Sequence, residues 1–251
     1  MKSKYQYTAT KESYEDYSSG RVIYGAAGAT NFPVRLSSEV FQQCAHYLKT
    51  KGKSSPYKLY DPFCGVAYSL TVVGFLHDAE IESIAGSDSD SRMLEFARKN
   101  LSLLTAKGLD KRIEELKRFV QEYNKDSHKE ALESAYHLQS RIQSSGRSEI
   151  QCFQFDATGD EEFPESLPEV DMVITDLPYG KLTRWEGPVT EEGPAKKFLE
   201  KLKRKLGPVS ITAIIHNKKQ PISHPGYKVI RSFALGKRKI ALLALENNLG
   251  Q

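Results

Sequence analysis

Apolar residues along the chain fall into two alternating patterns. Seven short runs rich in β-branched and aromatic residues read as strands: Lys58–Tyr60, Ser83–Ser87, Gln151–Phe155, Asp171–Thr175, Val209–Ile215, Lys228–Ala234 and Ile240–Leu245. Between most of them, apolar positions recur at helical spacing over Ser37–Leu48, Tyr68–His77, Ser91–Leu104 and Ala195–Leu206. Strands alternating with helices predict an α/β fold with a parallel sheet and crossover helices. The last two runs are joined only by Leu235–Lys239, too short for a crossover, so they predict a C-terminal β-hairpin.

Two segments depart from the alternation. Between Lys107 and Gly146, one stripe (Ile113, Leu116, Val120) and a second (Ala131, Ala135, Leu138, Ile142) flank a break near Asn124–Ser127. This predicts a helical hairpin inserted before the third strand. The first 31 residues hold Tyr5, Tyr7, Tyr14, Tyr17 and Tyr24 among small polar residues and show no period. A strand or lid packed on the domain is the expected role, and base stacking the alternative. The whole of 1–251 reads as one domain, with 1–50 as an N-terminal extension leading into a lid or helix and 107–146 as the insertion.

Composition narrows the classes. No 18-residue apolar run predicts a membrane span, and the first residues lack the apolar centre of a signal peptide. Cys44, Cys64 and Cys152 form no C-x-x-C pair, which argues against a zinc site or disulfide framework and for a reducing, cytoplasmic setting. No metal is expected. Net charge is +4, but from Ala195 to Ile240 thirteen Lys or Arg residues face one acid, Glu200. That asymmetry points to a polyanionic partner, nucleic acid above all, with a solvated helix face at Lys196–Lys205 absorbing part of it.

Chemistry concentrates at the ends of the predicted strands, where open α/β sheets bind ligands. Asp61 closes the first strand and leads into Pro62-Phe63-Cys64-Gly65, a tight turn whose N–H groups can meet a polar ligand. Asp88 closes the second, inside Gly86-Ser87-Asp88-Ser89-Asp90, and is placed to accept from ribose hydroxyls, while Asp90 caps the next helix. Asp156, followed by Ala157, ends the third. Asp176 ends the fourth and opens Asp176-Leu177-Pro178-Tyr179-Gly180, in which a carboxylate, a rigid turn and a ring suit an amine-bearing nucleobase. NAD would suit the Asp88 spacing, but no G-x-G-x-x-G motif is present.

These motifs, in this order, resemble class I methyltransferases, whose Rossmann-like seven-stranded sheet closes with a hairpin. Asp61-Pro62-Phe63-Cys64-Gly65 is similar to their first motif, although the position two beyond Gly65, usually a second glycine, is Ala67. Further segments carry a resemblance to the AviRa family of avilamycin-resistance rRNA methyltransferases: Phe32-Pro33-Val34-Arg35-Leu36, Glu39–Gln42, Leu70-Thr71-Val72, and Asp176–Gly180 with Thr183, Trp185, Glu186 and Gly187. The resemblance implies S-adenosylmethionine as cofactor and a guanine of 23S rRNA, free or in the large subunit, as acceptor. Within that family the modification blocks an orthosomycin antibiotic. Family precedent favours N1 of the guanine and the motif's wider relatives N2; the residues leave both open.

The expected cofactor contacts are Arg35, Asp61, Pro62, Phe63, Cys64, Gly65, Asp88, Ser89, Asp156, Ala157 and Asp176. A structural salt bridge is the other reading of Arg35. Asp176, Pro178 and Tyr179 are the expected catalytic residues. Tyr179, Thr183, Trp185, Lys218, Lys237, Arg238 and Lys239 are the expected substrate contacts. The enzyme is expected to be a monomer. Two other readings stand beside this one: an adenine-N6 methyltransferase of DNA or RNA, and a catalytically silent RNA-binding module on the same fold.

Overall fold

A computed structural model describes residues 5–10, 12–29, 31–142, 149–177, 194–218, 222, 224–235 and 238–246. Seven strands, β1 (Tyr57–Asp61), β2 (Ile81–Asp88), β3 (Glu149–Gln154), β4 (Val170–Asp176), β5 (Leu206–Asn217), β6 (Tyr227–Leu235) and β7 (Arg238–Leu245), form one sheet in the order β3-β2-β1-β4-β5-β7-β6. The first five are parallel; β7 runs antiparallel to both β5 and β6. The predicted hairpin is present, and it is its second strand, β7, that joins the parallel sheet.

Among the described residues six helices accompany the strands: α1 (Val34–Thr50), α2 (Tyr68–Leu76), α3 (Ser91–Ser102), α4 (Ala106–Tyr123), α5 (Asp126–Arg141) and α6 (Pro194–Leu202). Successive residues of a strand point to opposite faces, and both faces are buried, as a parallel sheet requires. Leu59, Ile84, Met172, Ile174 and Ile215 pack with α1 to α5, whereas Tyr60, Ala85, Val173 and Ile214 pack with Phe198, Leu199 and Leu202 of α6. Each large apolar side chain so buried contributes roughly 1.5–3 kcal/mol.

The inserted hairpin, α4 and α5, turns at Asn124 in a left-handed conformation (φ 45°), inside the predicted break. It packs back on the chain rather than projecting: Arg112 donates to the carbonyls of Val22 (3.1 Å) and Arg21 (2.8 Å), and Arg21 pairs with Glu130 at 2.8 Å. The predicted Ala195–Leu206 helix ends at Leu202; a 3-10 turn, Lys203–Lys205, follows, and Leu206 already belongs to β5.

The described part of the first 31 residues contains no strand, only a 3-10 turn at Glu15–Tyr17. It is fastened by side chains instead. Buried Glu39 accepts from the N–H groups of Gln6, Tyr7 and Thr8 at 2.8–2.9 Å, and Arg35 donates to the carbonyls of Thr8 and Ala9 at 2.8 Å. No helix among the described residues is long and apolar enough to cross a membrane.

Candidate active site

The parallel strands deliver their C-terminal ends side by side. Asp61 lies opposite Gly86 in the β1–β2 ladder, so Asp88 stands two residues further along the same edge, and Asp176 ends β4 on the other side of β1. The turn leaving β1 is tight. Gly65 and Ala67 both take left-handed backbone (φ 53° and 55°), and the N–H of Ala67 donates to the carbonyl of Cys64 at 2.7 Å. Ala67, at the position where the usual motif has glycine, bears a left-handed conformation that costs an L-residue about 1–2 kcal/mol.

Asp88 locks this turn. Its Oδ2 accepts from the N–H of Gly65 at 2.8 Å and its Oδ1 from the N–H of Asp90 at 3.0 Å. Asp90 caps α3 as the sequence predicts, accepting from the N–H of Arg92 at 2.9 Å. Gly86 leaves space for the thiol of Cys64: a Cβ there would come within 3.1 Å of Sγ. The Cys64 thiol is held well above the ordinary range by its contact with Cys152 and by burial.

Asp61 is the most deeply buried acid of the set. Its Oδ1 accepts from the hydroxyl of Thr175 at 2.6 Å and from the N–H of Phe63 at 3.0 Å. Burial pushes its pKa up to about 7 against those two bonds, and the negative charges of Asp88 and Asp176 push the same way. No cation among the described residues forms an ion pair with it. A buried carboxyl in that state is suited to a cationic ligand group, whose arrival would favour the ionised form.

Asp176 is handled differently. Its Oδ2 lies 3.5 Å from Nη2 of Arg238, the first residue of β7, whose guanidinium also sits 5.2 Å from the centre of the Phe32 ring. Arg238, expected on the RNA surface, therefore faces the end of β4. β7 lies next to β5, and β5 pairs Asn217 with Arg238 and Ile215 with Asp176, which brings the two charges together.

The other predicted residues divide. Pro62 is buried and Phe63 packs edge-on to Phe198 at 5.1 Å between ring centres. Ser89 and Asp156 are exposed, and Ala157 is buried. Asp156 accepts from the N–H and hydroxyl of Thr158 (2.8 and 2.7 Å), so it closes the turn after β3. The Arg35 guanidinium stacks on the Tyr5 ring at 3.9 Å and holds the N-terminal segment; this contact set corrects the salt-bridge reading, because its partners are carbonyls. Lys218 and Lys239 are exposed. Pro178, Tyr179, Thr183, Trp185 and Lys237 lie outside the described residues.

The basic C-terminal third is partly paired. Lys197 pairs with Asp160, Lys203 with Glu200 and Arg204 with Glu162 at the surface, while Lys205 donates to the carbonyls of Pro164 and Leu167. Lys201 is buried, donating to the carbonyl of Gly159 and lying 4.8 Å from the centre of the Phe155 ring. Asp160 and Glu162 come from the segment after β3.

Sequence reasoning missed Thr175 and Asn100. Asn100 is fully buried on α3; its Nδ2 donates to the carbonyls of Val66 (2.8 Å) and Tyr24 (3.0 Å), and its Oδ1 accepts from the N–H of Tyr24 at 2.7 Å. A polar amide inside the apolar stripe Leu94, Ala97, Leu101 was the available signal.

Comparison with known proteins covers nearly the whole chain. The family described as rRNA methyltransferase AviRa matches residues 3–238. The 23S rRNA (guanine(2535)-N(1))-methyltransferase of Streptomyces viridochromogenes is 34% identical over 248 residues, spanning 96% of each chain. Two solved structures of the rRNA methyltransferase aviRa from that organism superpose with TM-scores of 0.83 and 0.84, at 30% and 31% identity. They cover 98% and 96% of both chains, respectively.

Proposed function

The chain belongs to the AviRa family of rRNA methyltransferases, and from that premise we propose that it methylates a guanine of 23S rRNA at N1, using S-adenosylmethionine. The observation that carries the reading is the row of carboxylates at the ends of β2, β1 and β4. Asp88, Asp61 and Asp176 stand on adjacent strands, close enough for Asp61 to feel the other two charges. The relative's name supports N1 over N2.

S-adenosylmethionine, when bound, would supply a sulfonium methyl group that a nitrogen lone pair can take up, with the neutral thioether S-adenosylhomocysteine as the leaving group. Asp61 is suited to hold the ammonium of that molecule, and Asp88 its ribose hydroxyls. The Gly65–Ala67 turn keeps backbone rather than side chains toward the ligand. Asp176 accepts the guanine N1–H and takes its proton as the nitrogen attacks; Arg238 pairs with that carboxylate and aims it. Positioning and charge placement are the protein's contribution to such an in-line displacement. The protein acts as a cytoplasmic monomer, and orthosomycin resistance is the proposed consequence.

The test is methyl incorporation from labelled S-adenosylmethionine into 23S rRNA, with duplex DNA as control. N1-methylguanine has lost its central pairing position and stops reverse transcriptase, whereas N2-methylguanine still pairs. A stop at one guanine supports the proposal; incorporation without a stop would move the acceptor to N2. Incorporation into adenine of DNA, or no cofactor binding by calorimetry, would overturn it.

A further inference from the structure

A second cluster of reactive groups lies at the other end of the sheet. Ser38, one turn into α1, places its Oγ 3.0 Å from Nε2 of His77, the residue that follows α2. Nδ1 of His77 lies 3.0 Å from Oε1 of Glu80, in the 3-10 turn Asp78–Glu80. Gln42 donates to the same Ser38 Oγ at 3.1 Å. One proton arrangement satisfies all three contacts: the Gln42 amide donates to Oγ, the Ser38 hydroxyl donates to Nε2, and Nδ1–H donates to Glu80. In that arrangement the Nε2 lone pair faces the serine hydroxyl. The ring of Phe41, stacked on the imidazole at 4.3 Å, fixes its plane, and the His77 contact holds the Glu80 carboxyl below its usual range.

This cluster opens onto space. Ser38, Gln42 and His77 line a polar cavity of about 190 Å³, together with Tyr7, Thr10, Glu12 and Tyr14 of the N-terminal segment. It is separate from the methyl-transfer edge: Glu80 immediately precedes β2 and Asp88 ends it, roughly 25 Å apart at the rise of an extended strand.

A serine hydroxyl bonded to a neutral imidazole that a carboxylate orients is the arrangement of an activated oxygen nucleophile. We propose that Ser38, His77 and Glu80 form a second reactive centre, in which Ser38 accepts the acyl group of a small ester. Oγ bonds to the carbonyl carbon as its proton passes to Nε2. The bond to the leaving alcohol breaks, and His77 returns the proton to the departing oxygen. Gln42 presents the amide donor nearest the developing oxyanion, and Glu80 stabilises the transient imidazolium. Water then repeats the sequence on the acyl-serine, releasing a carboxylic acid and restoring Ser38.

The probe is a fluorophosphonate, which forms an Oγ–phosphorus bond with loss of fluoride, applied to the full-length protein and read by peptide mass mapping. Hydrolysis of p-nitrophenyl acetate gives the turnover counterpart. The expected result is one adduct, on the peptide carrying Ser38, and ester hydrolysis that Ser38→Ala removes while methyl incorporation into rRNA is kept. His77→Gln should slow labelling about a hundredfold. Glu80→Gln leaves the His77–Phe41 stack untouched and should slow it about tenfold. Absence of a Ser38 adduct in the unmodified protein, or an adduct forming equally fast in both variants, overturns the proposal.

Discussion

Asp61 and Asp176 are the same residue type at the ends of neighbouring parallel strands, yet their surroundings are opposite. Asp61 is buried, held by a hydroxyl and a backbone N–H, and carries a pKa raised to about 7. Asp176 is partly open and faces a guanidinium. The first is built to receive charge from a ligand and the second already has charge from the protein. In the proposed reaction that difference separates the two tasks: one carboxyl completes its ion pair only when the cofactor's ammonium arrives, and the other is aimed by a guanidinium to meet a guanine.

Substitution should pull the two apart. Asp176→Asn retains shape but loses basicity, so turnover should fall by about 10³ or more while cofactor affinity by calorimetry changes less than a few-fold. Loss of cofactor binding in that variant would show that the division of labour is wrong. Asp61→Asn should do the reverse and weaken cofactor affinity about tenfold to a hundredfold, an effect of roughly 1.4–2.7 kcal/mol.

The Asp61 comparison also has a pH signature. Binding of a cation draws Asp61 into its ionised form, so cofactor affinity should decline as pH falls below about 7, with proton release on binding. Asp61→Asn should flatten that decline. Stability moves the opposite way. A folded-state pKa raised above 3.8 adds stability that is fully present below about 4 and lost as pH rises through about 7. Asp61→Asn should therefore gain stability over the native chain by a few kcal/mol at pH 8 and nothing at pH 3.5, measured by urea denaturation.

Arg238→Ala sharpens the Asp176 side. It should lower kcat about tenfold and leave the salt dependence of rRNA binding unchanged, because that guanidinium faces a carboxylate rather than solvent. A reduced salt slope would return Arg238 to the RNA surface. The smallest expected effect is Ala67→Gly: relief of the left-handed backbone, offset by glycine's greater entropy when unfolded, should give a net gain of up to about 1 kcal/mol in thermal denaturation at unchanged cofactor affinity.

The strands and most helices were legible because periodicity is a local signal, and the strand-end acids were legible because each follows its own apolar run. What stayed hidden depends on partners distant in sequence. Thr175 looks like one more β-branched residue until β4 is set beside β1, and Arg238 reads as surface charge until β7 is placed next to β5. Two partners of the basic C-terminal third stayed hidden for the same reason, since Asp160 and Glu162 lie outside that window. Glu39 gave no sign that it would gather three backbone N–H groups from a segment about 32 residues earlier.

Asn100 has a consequence for how the molecule opens. One side chain closes two backbone bonds to Tyr24 and a third to Val66, inside the turn that Asp88 locks. Neither the N-terminal segment nor that turn can come loose without stranding part of a buried amide. Hydrogen exchange should accordingly find Tyr24 and the amides around Val66 opening with a shared free energy, as one cooperative unit. In the Asn100→Ala protein the two should exchange independently, each at its own rate.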